Sequence, residues 1–258
     1  MVIDGRIGYT GGFGIDDRWL GSGRKAGQWR DTHVRVEGPA VDRLQAPFIA
    51  NWGECTGELL FGDGVMQGKA SDGTDAKTAG ILYCSPSLGS TTAERFLALT
   101  ISAARKSLFI TSAYFVPSKG FRRLLCDAAS RGVDVRVLTP GGNTDEPIAW
   151  YAGRAHYEEL LRGGVRLWEY QPTMVHAKTI VADEVWGSIG SVNFDNRSLK
   201  LNDEVTLVAQ DPALGRAMHE MFVRDLALAK EVTLEDFAKR SRGSRARERA
   251  SLLAAPLL

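Results

Sequence analysis

The sequence predicts an α/β protein of two pseudo-twofold-related halves, each with a mixed β-sheet flanked by helices. Two observations predict this class. Apolar runs of strand length alternate with amphipathic helical segments along most of the chain, which is typical of helices packed around a largely buried sheet. A short strand–turn–strand pattern also occurs twice, and its first copy begins so close to Met1 that we expect the first half to be incomplete.

The two copies of this pattern lie 179 residues apart and align without a gap. Six of the seventeen aligned positions are identical, pairing Val2, Asp4, Gly8, Gly11, Asp16 and Arg18 with Val181, Asp183, Gly187, Gly190, Asp195 and Arg197. A duplicated unit of this kind predicts two related half-domains that share one active site at their seam.

Periodicity, turn residues and Pro positions assign the elements in order. Strands are predicted at Arg6–Thr10, His33–Glu37, Ile81–Ser85, Ser107–Ala113, Val133–Leu138, Val165–Glu169, Thr179–Ala182, Val185–Ile189 and Glu204–Ala209. Helices are predicted at Pro39–Trp52, Thr91–Arg105, Lys119–Arg131, Pro147–Arg162 and Pro212–Lys230. The Gly- and Asp-rich stretch Gly62–Gly80 is predicted to be a surface linker. We therefore divide the chain into residues 1–72, the remainder of the first half, residues 73–232, the second half, and a tail at 233–258.

Composition excludes several classes of protein. With 44% apolar and 24% charged residues, the chain can bury a sizeable core and is not a disordered protein. Its net charge of +1 gives no global attraction to nucleic acid, so attraction to phosphate has to be local. Cys55, Cys84 and Cys126 fit no zinc or disulfide spacing and indicate a reducing compartment. No apolar stretch reaches the ~18 residues that a membrane span needs.

The tail beginning at Lys239 has an unusual composition, with six Lys and Arg in eleven residues followed by an apolar end. Two interpretations remain open. The tail is either frayed and solvated, or it attaches weakly to anionic lipid headgroups.

The second copy carries side chains suited to phosphate chemistry. His176 and Lys178 are two residues apart in a strand and so project from the same face. Ser191 and Asn193 follow in the next turn. An imidazole can attack phosphorus while Lys178, Ser191 and Asn193 hold the anionic oxygens, or the latter two simply cap the turn. Since no metal ligands cluster here, we expect neither a metal nor a cofactor.

The first copy offers a different turn. The same offset would place its His and Lys before Met1, and Gly12 and Gly14 stand where the second copy has Ser191 and Asn193. We predict that Gly11 and Gly12 line the phosphate site through backbone N–H groups, the alternative being that they only form the turn. His33, His156 and His219 are interpreted as structural histidines.

The stretch VHAKTIVADEVWGSIGSVNFD resembles the H-x-K-x4-D…G-S-x-N signature of the phospholipase D superfamily. The segments WRDTHVRVEGPAV, SAYFVPS, HYEELLRGGVRLWEYQP and NRSLKLNDE are similar to bacterial cardiolipin synthases. The resemblance covers Met1 to about Lys230. It implies a ping-pong transfer through a phosphatidyl-histidine intermediate, in which His176 is either the nucleophile or the general acid and base.

The resemblance also implies roles for three acids. Glu204 would orient the imidazole of His176, unless it is an ordinary surface acid, and Asp31 would do the same for the histidine of the first half. Asp183 is counted with the catalytic motif, although we expect it to stabilise the strand and turn. Tyr114 and Phe115 are either core or lipid contacts.

The leading hypothesis is a phosphatidyltransferase that makes cardiolipin from phosphatidylglycerol and a second phospholipid. We expect it to work at the cytoplasmic face of the bacterial membrane, in peripheral contact with an anionic surface. One alternative is a phospholipase D-type lipase or nuclease that uses water as acceptor. A nucleic-acid partner is disfavoured, because no basic stripe with interleaved aromatic residues is present. Another alternative is a fragment that is inactive because one His–Lys pair is absent.

Overall fold

The computed structural model describes residues 1–62, 65–66, 77–86 and 90–257. The domain boundary predicted at residue 72 lies outside these residues, as does most of the linker predicted at Gly62–Gly80. No helix within the described ranges is both long and apolar enough to cross a membrane.

Strands and helices alternate along the described chain. The strands are β1 (Val2–Ile3), β2 (Ile7–Gly11), β3 (Trp29–Arg30), β4 (His33–Glu37), β5 (Thr78–Cys84), β6 (Ser107–Thr111), β7 (Asp134–Pro140), β8 (Arg166–Tyr170), β9 (Met174–Val175), β10 (Thr179–Ala182), β11 (Trp186–Gly190), β12 (Glu204–Gln210) and β13 (Ala229–Val232). The helices are α1 (Ala40–Thr56), α2 (Thr92–Ala103), α3 (Lys119–Ser130), α4 (Pro147–Arg154), α5 (Tyr157–Arg162), α6 (Asn196–Lys200), α7 (Pro212–Leu226), α8 (Leu234–Ala238) and α9 (Arg242–Ser251).

The largest sheet has eight strands in the order β13-β8-β7-β6-β10-β11-β12-β5. β6, β7 and β8 are parallel, with helices in the crossovers, and the remaining pairs are antiparallel. Successive residues of β6 face opposite sides: Leu108 and Ile110 pack with α2 and α3, whereas Phe109 stacks on Phe222 of α7 at 4.8 Å. Both faces of this sheet are therefore buried, as the mixed α/β prediction requires.

A smaller antiparallel sheet, β1-β2-β4, holds the first copy of the repeat. The strand β3 lies outside this sheet and pairs in parallel with β9, with Trp29 opposite Met174 and Arg30 opposite Val175. This pairing joins a segment that follows the first copy to a segment that precedes the second copy. It places the residue after Arg30 beside the residue after Val175, which is the arrangement on which the site depends.

Three predicted elements differ from the structure. The helix predicted over Pro147–Arg162 is divided into α4 and α5, which lets Tyr157 turn inward so that its hydroxyl lies 3.0 Å from that of Thr139. The helix predicted to reach Lys230 ends at Leu226, because Ala229–Val232 instead satisfies the open edge of β8. β5 begins at Thr78, inside the predicted linker, because it completes the edge of β12.

The tail is folded, so the prediction of a frayed segment was wrong. Residues after Lys239 form α9, which packs on α4. Glu248 is 2% exposed and accepts a hydrogen bond from Arg240 at 2.9 Å. A carboxylate this deeply buried needs paired cations, and Arg240 and Arg154 supply them.

Candidate active site

His176 lies between β9 and β10, and its backbone N–H donates to the carbonyl of Arg30 at 2.7 Å. Its side chain is 17% exposed. Three aromatic rings surround the imidazole, with centroids 5.0 Å away for Trp29, 5.9 Å for Trp19 and 6.1 Å for Tyr114. The ring is therefore held in a half-buried aromatic pocket with an open side.

The carboxylate of Asp31 contacts this imidazole directly. Asp31 Oδ2 lies 2.8 Å from His176 Nδ1, and the indole N–H of Trp19 donates to the same oxygen at 3.0 Å. The backbone N–H of Thr32 donates to the other oxygen at 2.7 Å. A carboxylate bound to Nδ1 selects the tautomer with its proton on Nδ1 and leaves Nε2 as the reactive nitrogen.

The acid that contacts His176 is therefore Asp31 and not Glu204. Asp31, predicted for the histidine of the first half, orients His176, because the β3–β9 pairing carries it across the seam between the copies. Glu204, predicted to orient His176, is instead buried at the start of β12 and hydrogen-bonded to Ser191, Ser198 and Asn202. Burial raises the pKa of Glu204, although those hydrogen bonds oppose the rise.

The side chain of Lys178 approaches both nitrogens of the His176 ring, and its Nζ lies 3.0 Å from Nδ1. Its Nζ lies 2.7 Å from His176 Nε2 and donates to the backbone carbonyl of His176 at 2.7 Å. Burial lowers the pKa of Lys178 to about 8, while the nearby carboxylates of Asp31 and Glu204 oppose this shift. At neutral pH the group therefore remains largely an ammonium ion in contact with the imidazole.

Ser191 and Asn193 hold backbone around the site. The hydroxyl oxygen of Ser191 accepts the N–H of Val205 at 3.0 Å. The amide oxygen of Asn193, which is buried, accepts the N–H of Tyr114 at 3.2 Å. These contacts are those expected if both residues stabilise turns, and a contact with phosphate stays a prediction.

The absence of side chains at Gly11 and Gly12 leaves room for the Asp31 carboxylate and the backbone of Thr32. A β-carbon at Gly12 would collide with both carboxylate oxygens of Asp31, and one at Gly11 would collide with the carbonyl of Thr32. The N–H of Gly12 donates to that carbonyl at 3.3 Å. The predicted use of this N–H for phosphate is therefore not what the structure shows, and close approach is the reason for glycine here.

Asp183 lies at the far end of β10 from Lys178 and makes no hydrogen bond with the site. Its carboxylate accepts the backbone N–H groups of Arg105, Lys106 and Ser107 at 3.0, 2.7 and 2.9 Å. Burial raises the pKa of Asp183, but these three donors lower it below its ordinary value. Although counted with the catalytic residues, Asp183 stabilises the strand and its turn.

Several site residues were not found from the sequence. Trp19 and Trp29 pack on His176, and Arg30 anchors the acid-bearing strand by donating to Asp225 of α7 at 2.7 and 3.1 Å. Asp195 is buried, and its charge acts on Lys178. The repeat gave a signal for Asp195, since it is identical to Asp16, whereas Trp19 has no counterpart in the second copy.

Comparison with known proteins places these features in a family. Residues 97–226 match a family model described as cardiolipin synthase, PLD-like domain. The chain is 35% identical over 270 residues to cardiolipin synthase 2 of Staphylococcus epidermidis, and 36% and 34% identical to cardiolipin synthases of Staphylococcus aureus and Clostridium perfringens. These alignments cover 100% of the chain and 53%, 52% and 55% of the relatives, so the chain spans about half their length.

Solved structures share the fold. A phosphatidylserine synthase from Haemophilus influenzae superposes with a TM-score of 0.68 at 15% identity, over 99% of this chain and 69% of its own. Nuc, a phospholipase D family member from Salmonella typhimurium, superposes with a TM-score of 0.51 at 22% identity, over 61% of this chain and 99% of its own. At these identities the likeness concerns the fold alone.

Proposed function

The chain belongs to the phospholipase D-like cardiolipin synthase family, and from this premise we propose that it carries one catalytic half-site of a phosphatidyltransferase. The proposed reaction transfers a phosphatidyl group from phosphatidylglycerol to a second phospholipid, giving cardiolipin and, when that phospholipid is also phosphatidylglycerol, free glycerol. The observation that supports it best is the 2.8 Å contact between Asp31 and Nδ1 of His176, which leaves Nε2 for chemistry beside the Lys178 ammonium.

The contacts of His176 with Asp31 and Lys178 suit a histidine acting as the nucleophile and a histidine acting as general acid and base. As nucleophile, Nε2 of His176 would form a bond to phosphorus while the bond from phosphorus to the glycerol oxygen breaks. As acid and base, Nε2 would give a proton to that leaving oxygen and later take one from the acceptor hydroxyl. In both cases the Asp31 carboxylate stabilises the imidazolium, and Lys178 balances the negative charge on the phosphoryl oxygens.

The proposed reaction uses two His–Lys pairs. His176 and Lys178 form the single H-x-K in the chain, since His33, His156 and His219 are not followed by this pattern. We therefore expect the chain alone to be inactive and expect activity when a preceding half supplies the second pair. We place the active protein at the cytoplasmic face of the membrane, where its lipid substrates lie.

The test compares the chain alone with a fusion in which the preceding half of the Staphylococcus aureus relative is joined ahead of Met1. Both are incubated with vesicles of labelled phosphatidylglycerol, and cardiolipin and glycerol are measured. We expect product from the fusion only. In the fusion, His176→Ala should lose activity at least about 1,000-fold and Asp31→Asn about 100-fold or more, because the tautomer is no longer fixed.

Asp127→Asn is the matched control, since Asp127 is an exposed acid on α3 paired only with Arg123 of the same helix. It should keep full activity. Release of phosphatidic acid without cardiolipin would favour the phosphodiesterase alternative. A folded fusion that forms neither cardiolipin nor phosphatidic acid would refute the proposal. So would a fusion whose activity is unchanged by His176→Ala.

A further inference from the structure

Helix α9 presents a row of three exposed arginines, Arg242, Arg245 and Arg249, which we call the cationic face. Residues spaced at i, i+3 and i+7 lie on one side of an α-helix, so the three guanidinium groups emerge from the same side. The segment from Lys239 to the C-terminus contains six cationic side chains, and its single acid, Glu248, is buried and paired. The exposed charged side chains of this segment are therefore all cationic.

The other side of α9 is fixed to the domain. Glu248 accepts from Arg240 at 2.9 Å and from the hydroxyl of Ser244 at 3.1 Å. Arg247 donates to the hydroxyl of Tyr151 on α4 at 3.2 Å. Because these contacts set the rotation of the helix about its axis, the cationic face is held toward solvent in a defined direction.

The helix on which α9 packs begins close to the site. Just before α4, Asp145 accepts the hydroxyl of Tyr114 at 2.8 Å, and the ring of Tyr114 lies 6.1 Å from that of His176. α4 has eight residues and is about 12 Å long, so its far end remains near the site. Exposed apolar side chains accompany this region, with Ile148 51% and Leu253 86% exposed.

We propose that the cationic face of α9 docks on an anionic phospholipid surface, one short helix away from the candidate site. This inference rests on the proposed function in its choice of a phospholipid as the partner. Each arginine close to an anionic leaflet adds a similar favourable contribution to the binding free energy. The exposed side chains of Leu253 and Leu257 add apolar contact with the lipid interface. A nucleic acid would use the same charges but would leave these leucines in water.

The experiment measures co-sedimentation of the full chain with vesicles, without turnover. One set contains phosphatidylcholine and phosphatidylglycerol, and the other contains phosphatidylcholine alone. We expect binding to the anionic vesicles only, weakened by added salt. Arg242→Gln with Arg249→Gln should reduce the partition coefficient about 30-fold, since each removes one surface cation. Gln keeps the helix propensity of Arg, so α9 should remain folded, which circular dichroism checks.

The matched control is Arg123→Gln with Arg224→Gln, which removes the same charge from exposed positions on α3 and α7. It should bind as the original chain does. Equal binding by the α9 double variant and the original chain, or binding that salt does not weaken, would overturn the proposal. So would preferential binding of duplex DNA over anionic vesicles when both are offered. Binding by the chain, together with failure of the fusion to form cardiolipin, would leave the docking surface intact and count against the proposed function alone.

Discussion

At the scale of single residues, the site combines a well-supported imidazole with a cation that is held at some cost in free energy. Asp31 receives hydrogen bonds from Trp19 and Thr32 as well as contacting His176, so both of its carboxylate oxygens have a partner. Lys178 is only 7% exposed, and burial disfavours its charged form. The chemistry that we propose requires that charged form, so pH should control the reaction through Lys178.

We predict that the phosphatidyl transfer rate of the fusion falls as pH rises through about 8, the pKa to which burial lowers Lys178. The ammonium is present below this pH and lost above it. Lys178→Arg should extend activity to higher pH, because a guanidinium stays charged up to about pH 12, although at a lower maximal rate. Rates measured from pH 6 to 10 check this, and an unchanged alkaline limb in Lys178→Arg would exclude Lys178 as its cause.

The same shift acts on stability with the opposite sign. The unfolded chain binds the Lys178 proton more tightly than the folded chain, with a pKa near 10.5 against about 8. Burial of Lys178 therefore lowers the free energy of unfolding below pH 8, and this penalty disappears as pH rises between these two values. Holding a buried cation near His176 therefore lowers the free energy of unfolding of the protein below pH 8.

Sequence alone predicted that His176 and Lys178 lie together, but not which acid contacts His176. The spacing of His176 and Lys178 on one strand predicted that they share a face, and the structure places their side chains in contact. Asp31 was recognised as an orienting acid, yet its histidine was assigned wrongly. Sequence reasoning paired each acid with the histidine of its own half, whereas a two-residue parallel pairing, too short to leave a periodic signal, brings Asp31 of the first half to His176.

At the scale of elements, the two copies share an unusual turn. Asp4 and Gly5 in the first copy, and Asp183 and Glu184 in the second, all have positive φ, from 49° to 62°. The hydrogen bond from Arg6 N–H to Ile3 at 3.0 Å has its counterpart between Val185 and Ala182 at 3.2 Å. One copy thus uses glycine where the other accepts strain in a glutamate.

We predict that Glu184→Gly raises the free energy of unfolding by about 0.5 kcal/mol, because it relieves a left-handed glutamate. The contact between Glu184 and His219 at 3.4 Å is lost, but it is half-exposed and worth little. Urea denaturation measures the change. Glu184→Ala is the matched control, since it loses the same contact and keeps the strain, and it should give no gain. Equal stability of the two variants would show that the turn is not strained.

Strands were assigned correctly from the sequence where their conformation does not depend on an adjacent strand. The strands at His33–Glu37 and Thr179–Ala182 were predicted with the bounds that the structure shows, because alternation or continuous apolar character specifies them locally. β13 was taken as the end of a helix, since only the open edge of β8 makes Ala229–Val232 extended. β5 was partly lost in the predicted linker for the same reason.

At the scale of the whole molecule, a buried ionic cluster joins the C-terminal tail to the main sheet. Arg154 of α4 contacts Glu169 of β8, and Glu248 of α9 lies 3.7 Å from Arg154 and 2.9 Å from Arg240. Burial raises the pKa of Glu169, although Arg154 opposes this. A cluster of this kind favours one arrangement of tail and sheet, because removing either partner leaves a buried charge unpaired.

We predict that Glu248→Ala lowers the free energy of unfolding by about 3 kcal/mol, since Arg154 and Arg240 would lose a buried partner. Arg249→Ala, the next residue on the exposed face of α9, should change it by less than about 0.5 kcal/mol. Thermal and urea denaturation of both variants check the difference. Similar small losses in the two variants would show that the tail does not contribute to global stability.

The chain crossing at Trp29–Arg30 also limits how proteins of this family can be recombined. The carboxylate of Asp31 and the imidazole of His176 are 145 residues apart, so an exchange of segments between relatives that breaks between them replaces only one member of the pair. Such a hybrid keeps function only if both parents place Trp19, Asp31 and His176 alike.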